Sequence, residues 1–360
     1  METIQKVRLT NFRNLSEQII EFESNVNCIC GNNGNGKTNL LEAIYFSVNK
    51  KSFRKKASFQ QILSADSGKP EILSSMTVAN KSDDTDFYSI LWESDKYTCI
   101  LNNQKKIRKP NLNCVFVSPF DSFSFHNESS FRRNLIDSFI SRIAPEYKKV
   151  LSDYIKLLRQ KNSLLKSTQH IAQIDAIDTV LAEKIAFIVK YRVKFISDIN
   201  PYLKEIYHDI FSDSVSLELE IESKFIGCDA NSVKNLLIDQ RGEDLTYRVS
   251  KIGSNRDNLL LNFNGFNSID FCSSGQQKMA YLSLLFAYIN LFRYKFREFP
   301  IVLIDDVSGE LDSIRLDLLI KYLFKADYQV ILTTANKEFE QRLQSFGKVN
   351  LINVKDGYFH

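Results

Sequence analysis

A glycine-rich run carries the clearest chemistry in this 360-residue sequence. It reads Gly31-Asn32-Asn33-Gly34-Asn35-Gly36-Lys37-Thr38-Asn39, and it lies between a short apolar stretch and apolar residues at helical spacing. Glycines let backbone amides point inward around phosphate oxygens, and the start of a helix adds the positive end of its dipole. Lys37 can reach the β- and γ-phosphates, and the Thr38 hydroxyl can bind Mg²⁺. The run therefore predicts a loop that binds a nucleoside triphosphate.

Two adjacent carboxylates supply a second candidate group. Asp305 and Asp306 follow the aliphatic run Ile301-Val302-Leu303-Ile304, which is typical of a buried parallel strand that delivers acids at its carboxyl edge. Asp305 can hold Mg²⁺ through water, and Asp306 can orient or deprotonate the water that attacks the γ-phosphate. The sequence predicts Lys37 and Asp306 as catalytic residues and Thr38 and Asp305 as metal ligands.

A small polar loop, Ser273-Ser274-Gly275-Gln276-Gln277-Lys278, opens a further predicted helix. Its hydroxyl, its amides and the helix N-terminus suit a γ-phosphate, but the same residues also suit a plain helix N-cap. The residues alone leave both interpretations open. A second polar loop, Ser308-Gly309-Glu310-Leu311-Asp312, follows the acidic strand.

Strands and helices must bring these separated groups together. Periodicity and turn residues predict strands at 4–9, 18–22, 26–30, 301–304, 329–334 and 349–354, an antiparallel lobe over 71–107, and helices at 274–296 and 313–324. The glycine-rich loop lies near the front of this α/β pattern and the acidic strand near its back. We therefore expect one α/β half that is split along the chain.

Helical periodicity dominates residues 128–211. Two apolar stripes predict a pair of helices that forms an antiparallel arm. A span of about 25 residues gives a length of only about 38 Å, which excludes a long coiled-coil rod. Pro201 is expected to interrupt the second helix near its end.

The order of these motifs resembles the RecF family, in the DNA-repair branch of ABC-type ATPases. The resemblance rests on residues 9–15, 31–44, 158–166, 273–278 and 305–312, and it spans almost the whole chain. In ABC-type ATPases the loop similar to 273–278 is the signature motif, which contacts ATP held by the opposite subunit, and the loop similar to 308–312 is the D-loop. The resemblance implies ATP as the nucleotide, with Ser273, Ser274, Gly275, Gln276 and Asp312 as further binding residues.

The resemblance also implies an architecture and a role. We expect an α/β ABC-type P-loop ATPase head with an antiparallel β lobe, made of residues 1–120 and 252–360, and an inserted helical second lobe at 121–251 with a short antiparallel arm. The expected function is that of an ATP-dependent homodimer in recombinational repair and replication-fork maintenance. It binds double-stranded DNA and single-strand/duplex junctions and aids recombinase loading with the mediator RecR. Hydrolysis is expected to be slow and DNA-stimulated, with ATP mainly a switch.

Two segments depart from the family pattern. Ser118-Pro119-Phe120-Asp121 stands where the family usually has Ser-Pro-Glu-Asp. The family run Gly-Pro-His-Arg-Asp-Asp appears as Gly253-Ser254-Asn255-Arg256-Asp257-Asn258, which keeps the arginine and the first aspartate and loses the histidine.

The net charge is small, because 47 Lys and Arg against 43 Asp and Glu leave a surplus of +4. Any site for a polyanion must therefore be local. Two basic runs in the N-terminal half are the candidates, and their charged residues are Lys50, Lys51, Arg54, Lys55, Lys56, Lys105, Lys106, Arg108 and Lys109. They predict a DNA-binding surface, since each neutralised phosphate strengthens the salt dependence of binding.

Composition excludes several other classes. The six cysteines show no C-x-x-C pair, so they are expected to stay reduced and a zinc site is not expected. The sequence shows neither a membrane-spanning apolar run nor a signal-peptide pattern, so a cytoplasmic protein without membrane partners is expected.

Three alternatives to the repair ATPase remain from the residues. An ABC transport subunit fits less well, because Gln276 directly follows Gly275 and the inserted helical region is longer than the short insertion that such a subunit would have. A scaffold or clamp with negligible hydrolysis remains open, since Asp306 is shorter than the glutamate usual at this position. A nuclease of the overcoming-lysogenization type needs a further acidic domain, which we do not expect after His360.

Overall fold

The computed structural model describes residues 2–54, 57–80, 84–94, 96–118, 120–166, 171–210, 216–306 and 311–360. Packing divides the chain into two compact units. Unit 1 comprises residues 1–119 and 292–360, and unit 2 comprises residues 120–291. The lobe boundaries expected at 120/121 and 251/252 stay a prediction.

The strands are β1 (Thr3–Thr10), β2 (Ile19–Glu21), β3 (Val26–Cys30), β4 (Glu71–Ala79), β5 (Thr85–Glu93), β6 (Lys96–Leu101), β7 (Lys105–Ile107), β8 (Cys114–Val117), β9 (Leu217–Glu222), β10 (Asn258–Phe263), β11 (Phe266–Asn267), β12 (Ile301–Ile304), β13 (Val330–Thr334), β14 (Asn350–Lys355) and β15 (Tyr358–Phe359). The α-helices are α1 (Lys37–Asn49), α2 (Phe59–Ile62), α3 (Asp121–Asn127), α4 (Ser129–Ile143), α5 (Pro145–Leu164), α6 (Ile171–Ile210), α7 (Ala230–Asp239), α8 (Arg241–Tyr247), α9 (Ser268–Phe271), α10 (Ser274–Phe296), α11 (Ser313–Lys325) and α12 (Lys337–Phe346).

A mostly parallel sheet in unit 1 has the strand order β15-β14-β3-β13-β12-β8. Strands β3, β12 and β13 are buried at every position, as their apolar runs predict. Cys30 at the end of β3 pairs with Thr334 at the end of β13, and Ile304 pairs with Leu332. Because the strands are parallel, the loops that follow β3 and β12 leave the same edge of the sheet.

The second sheet of unit 1 is antiparallel, with the order β2-β1-β4-β5-β6-β7. Its central strand β4 alternates between buried and more exposed residues, which is the pattern of a sheet with one face on the core. The ring of Phe46 from α1 stacks on Trp92 of β5 with centroids 4.4 Å apart. The helix that follows the glycine-rich loop is therefore anchored in this core.

Unit 2 combines helices with a small antiparallel sheet, ordered β11-β10-β9. This sheet was not predicted from the sequence, although apolar and acidic residues alternate with a period of two in Leu217-Glu218-Leu219-Glu220-Ile221-Glu222. Leu217 and Leu219 are buried, so the alternation reflects a strand with one apolar face.

The expected break at Pro201 is wrong, because α6 runs through it for 40 residues. Packing of the last turns explains why the helix continues. The Asn200 side chain donates to the Leu219 carbonyl at 3.1 Å and accepts from the Leu219 amide at 2.9 Å, and Leu203 and Ile206 are buried. These contacts outweigh the lost backbone bond of a proline in a helix. None of the helices in the described ranges is both long and apolar enough to cross a membrane.

A buried ion cluster joins three helices of unit 2. The Lys161 ammonium lies 2.8 Å from Asp178 and 2.9 Å from Asp244, and all three side chains are fully buried. Burial raises the pKa of Asp178, and the hydrogen bond and charge of Lys161 oppose that rise. The adjacent Asn162 accepts from the Ser250 amide at 2.9 Å. The motif at 158–166 thus ties α5 to α6, to α8 and to the segment after α8.

Replacing Lys161 should strongly destabilise unit 2. Lys161→Met leaves two buried carboxylates without their cation, so we expect the free energy of unfolding to fall by about 3 to 5 kcal/mol. Urea unfolding followed by helical circular dichroism measures the change. Lys156→Met is the matched control, because Lys156 is 70% exposed and 4.0 Å from Asp153. Equal urea midpoints for the two variants would contradict a structural role for the cluster.

Candidate functional site

The glycine-rich loop connects the end of β3 to the start of α1. Gly36 precedes the helix with φ at 106°, in the left-handed region that favours glycine, and no side chain caps the helix there. A Cβ on Gly36 would lie 2.8 Å from Leu15 Cδ2. The first amides of α1 therefore lie at the loop, where they suit a phosphate.

The Lys37 ammonium folds back over this loop. It donates to the Gly31 carbonyl at 2.7 Å and to the Asn32 carbonyl at 2.9 Å. Burial lowers the pKa of Lys37, and the carboxylates of Asp306 and Asp305 oppose that shift. The lysine is therefore held at the loop between the backbone and the two acids, as its predicted role requires.

Thr38, Asp305 and Thr333 form a hydrogen-bonded group at the carboxyl edge of the parallel sheet. The Thr38 hydroxyl donates to the two Asp305 oxygens at 2.9 and 3.1 Å, and the Thr333 hydroxyl donates to Asp305 Oδ1 at 2.7 Å. A hydroxyl and a carboxylate in contact offer the hard oxygen ligands that Mg²⁺ prefers. The two predicted metal ligands are thus brought together by the fold.

Asp306 adopts a backbone conformation that is uncommon outside glycine. Its φ is 38°, and its amide donates to the Thr333 hydroxyl at 3.1 Å. The Thr333 hydroxyl thus contacts both the Asp305 carboxylate and the Asp306 backbone. Residues 308–310 of the predicted D-loop lie outside the described residues.

The turn between β14 and β15 holds the other side of the loop. The Gly357 amide donates to the Asn35 carbonyl, and the Asn35 side chain donates to the Val354 carbonyl, both at 3.1 Å. A Cβ on Gly31 would lie 2.3 Å from the same Val354 oxygen. The Asn14 side-chain amide also donates a hydrogen bond to the Gly34 carbonyl, at the longer distance of 3.3 Å. The loop is thereby fixed from both sides by segments that lie far from it in sequence.

A buried carboxylate on α1 organises two arginines near the loop. Glu42 is fully buried, and it accepts from Arg13 Nη2 at 2.9 Å and lies 2.8 Å from Arg54 Nη1. Arg54 also donates to the side chain of Asn39, whose own amide donates to Asn14. Asn39 and Arg54 are therefore part of a network that supports α1, and their predicted nucleotide and DNA contacts stay predictions.

The loop similar to the signature motif forms the N-terminus of α10. The Ser273 amide donates to the Gln276 side chain at 2.9 Å, and the Gln276 amide donates to the Ser273 hydroxyl at 3.3 Å. This reciprocal pair is a capping box, so the N-cap interpretation is confirmed for these two residues. Ser274 is exposed at the start of the helix, and Gly275 follows it. Contact with a nucleotide stays a prediction for all four.

Asp312 likewise caps a helix. Its carboxylate accepts from the Arg315 amide at 3.0 Å and pairs with the Arg315 guanidinium at 2.8 Å. Its predicted contact with a nucleotide stays a prediction.

The two basic runs approach each other in unit 1. The Lys50 ammonium lies 3.8 Å over the Tyr97 ring, and its pKa is lowered by burial and then by the nearby charge of Arg108. Lys51, Lys105, Lys106, Arg108 and Lys109 are exposed. Lys55 and Lys56 lie outside the described residues. The fold therefore makes one local basic surface from two segments that are distant in sequence.

Three contributors to the site were not predicted from the sequence. Thr333 is the second-last residue of a buried strand beside the acidic one, and a polar residue at that position is the signal that could have identified it. Asn14 and Glu42 carried no such signal, because their roles depend on tertiary contacts. Among the described residues, no group of three His, Cys, Asp or Glu side chains forms a metal cluster.

Comparison with known proteins finds a matching family model, sequence relatives and solved structures of similar fold. Residues 3–355 match the family model described as the RecF/RecN/SMC N-terminal domain. A protein of Clostridium tetani named DNA replication and repair protein RecF is 30% identical over 362 residues, which cover 96% of each chain. A protein of the same name from Streptococcus agalactiae is 28% identical and covers 98% of this chain and 96% of its own.

Solved structures agree with these sequence matches. The recombination mediator RecF with ATP, from the RecFOR pathway, superposes with a TM-score of 0.81 at 25% identity, and the match covers 100% of this chain and 97% of that one. The Smc head domain of Pyrococcus furiosus superposes with a TM-score of 0.57 at 17% identity, covering 100% and 95% of the two chains, and it shows the fold alone. The predicted ABC-type head is confirmed.

Two glycines of the loop should differ sharply in their tolerance of a side chain. Gly31→Ala places a Cβ against a backbone oxygen that cannot move freely, so the free energy of unfolding should fall by about 3 kcal/mol. Gly34 has φ at 86° with no atom within 4 Å of a built Cβ. Gly34→Ala should therefore cost only about 1 kcal/mol of backbone strain. Chemical unfolding compares the variants, and equal losses would refute the close approach of Val354.

Proposed function

The chain belongs to the RecF family of the RecF/RecN/SMC N-terminal domain class, and we propose that it is an ATP-dependent DNA-binding protein of replication and recombinational repair. ATP acts mainly as a switch that closes a homodimer, and hydrolysis is weak and stimulated by DNA. The family membership supports the repair role. The geometry of the loop and the two carboxylates supports the use of ATP.

One observation carries the ATP proposal. The Thr38 hydroxyl lies 2.9 Å from Asp305, although the two residues are 267 positions apart in sequence. A chance glycine turn has no reason to meet a carboxylate from a distant strand, whereas Mg²⁺-dependent phosphate binding requires this meeting. The relative titled as a RecF complex with ATP has the same overall fold at a TM-score of 0.81.

Each residue then has a defined task. The amides of the glycine-rich loop and of the first turn of α1 hold the phosphates, and Lys37 neutralises their charge. Thr38 and Asp305 would hold Mg²⁺, which would neutralise charge at the phosphates. Thr333 fixes the Asp305 carboxylate and the Asp306 backbone. Asp306 orients or deprotonates the attacking water.

The signature-like loop supports the proposed homodimer. Ser274 is exposed at the start of α10, where its hydroxyl and the first amides of the helix can reach a γ-phosphate held by the opposite subunit. The capping box between Ser273 and Gln276 stabilises the first turn of this helix. ATP bound in this way links two subunits, so its hydrolysis would release them.

DNA and a mediator protein are the proposed partners. The exposed lysines of β7, together with Lys51 and Arg108, form a basic surface on unit 1 that suits a duplex or a single-strand/duplex junction. The solved relative is titled a recombination mediator of the RecFOR pathway. By this likeness we propose RecR as a protein partner.

Asp306→Asn should trap the ATP-bound dimer. The amide keeps the size of the side chain but cannot take a proton from water, so hydrolysis should fall by about 100-fold or more while ATP still binds. Size-exclusion chromatography with light scattering should show a dimer that persists in ATP. Hydrolysis at the wild-type rate would exclude Asp306 as the base.

Two further variants test the same scheme. Lys37→Ala should bind no ATP and stay monomeric. Adding Ser274→Arg to Asp306→Asn should keep nucleotide binding but block the dimer, because the larger cation occupies the exposed helix start. A dimer that forms equally without ATP would contradict the switch.

Neutralising β7 should weaken duplex binding. Lys105→Gln with Lys106→Gln removes two exposed cations, so the slope of log affinity against log salt should drop by up to about 1.8. Fluorescence anisotropy with a labelled duplex at several salt concentrations measures it. Lys321→Gln with Lys325→Gln on α11 removes the same charge from another exposed face of unit 1. Equal losses in both pairs would indicate only a general charge effect.

A further inference from the structure

A cleft in unit 2 lies outside every site considered so far. Its volume is about 360 Å³, and it is lined by residues 222–225 at the end of β9 and by residues 251–253, 256 and 257. The lining includes the apolar side chain of Phe225 and the cations Lys224, Lys251 and Arg256. The segment 253–258 is one of the two that depart from the family pattern.

The lining of this cleft has more cations than acids. It contains Lys224, Lys251 and Arg256 against Glu222 and Asp257. Asp257 is buried, and its carboxylate is 2.6 Å from the Arg192 guanidinium, which also pairs with Asp137. Glu222 is exposed and accepts from the Asn258 side chain at 3.0 Å, and Lys224 and Arg256 are exposed beside it.

An exposed aromatic ring lies beside these cations. Tyr247 at the end of α8 is 60% exposed, and the Lys251 ammonium lies 3.7 Å over its ring. Arg248, the next residue, is also exposed and has φ at 55°. Lys251 covers one face of the ring, and more than half of the residue is still exposed to solvent.

We propose that this cleft binds single-stranded DNA, with one base stacked on Tyr247 and the flanking phosphates neutralised by Lys224, Lys251 and Arg256. Cations interleaved with an accessible aromatic ring form the surface that holds single strands, because unpaired bases can stack while the phosphates are neutralised. A duplex keeps its bases stacked inside and offers only phosphates to the same surface. The inference rests on the proposed DNA-binding function and adds a second contact, on unit 2, to the basic surface of unit 1.

The aromatic contact is tested with the full chain and two labelled probes, a short oligothymidylate and a blunt duplex of the same length. Tyr247→Ala should weaken oligothymidylate binding about tenfold and leave duplex binding unchanged, because it removes the stacking face. Tyr247→Phe keeps the ring and should bind like the wild type. Unchanged oligothymidylate affinity in Tyr247→Ala would overturn the proposal, as would an equal loss for the duplex.

The phosphate contacts are tested with paired lysine variants. Lys224→Gln with Lys251→Gln should lower the salt slope of oligothymidylate binding by about 1.4. Lys148→Gln with Lys149→Gln is the matched control, since both lysines are exposed on α5 of the same unit. Equal slopes in the two double variants would overturn the proposal. If the wild type binds neither probe, the proposed DNA-binding function fails; if it binds the duplex normally while the cleft variants change nothing, only this inference fails.

Discussion

The candidate site depends on one constraint, namely that the glycine-rich loop and the acidic strand leave the same edge of one parallel sheet. The hydrogen bond from Thr38 to Asp305 is the direct consequence, and it joins residues 267 positions apart. Strands β3, β13 and β12 are adjacent, parallel and fully buried, so a shift of register would separate the hydroxyl from the carboxylate. Thr333 then fixes the carboxylate from the strand between them.

Support for the loop comes from segments that no local pattern marks. The turn at Gly357 and the carbonyl of Val354 hold Asn35 from one side, and Asn14 contacts Gly34 from another. Glu42 binds Arg13 and Arg54 while it is itself fully buried, which fixes α1 behind the loop. A loop rich in glycine loses much conformational entropy when it is ordered, and these contacts offset part of that cost.

The chemistry of the site was accessible from sequence because residue type and spacing alone carry it. The loop at 31–38, the acids at 305–306 and the strands on which they lie follow from local patterns, and the structure has these strands within a residue or two of the predicted positions. Local rules failed where distant packing decides. Pro201 stays inside α6 because the Asn200 side chain bonds to Leu219 of β9 and the following Leu203 and Ile206 are buried. The strand at Leu217–Glu222 was missed because its acids obscured the alternation. Thr333, Asn14 and Glu42 gain their roles only through partners that are remote in sequence.

The small surplus of +4 hides a strongly uneven distribution of charge. Many carboxylates have fixed partners inside the units: Asp178 and Asp244 pair with Lys161, Asp137 and Asp257 pair with Arg192, and Glu42 pairs with Arg13 and Arg54. In these clusters five acids and four cations lie within a few ångströms of each other, so their charges largely cancel and contribute little to the field at the surface. The exposed lysines of β7 and of the cleft after β9 are not cancelled in this way. The net charge is an average over the whole chain, whereas the attraction for a polyanion is determined by the local surfaces on which uncancelled cations lie.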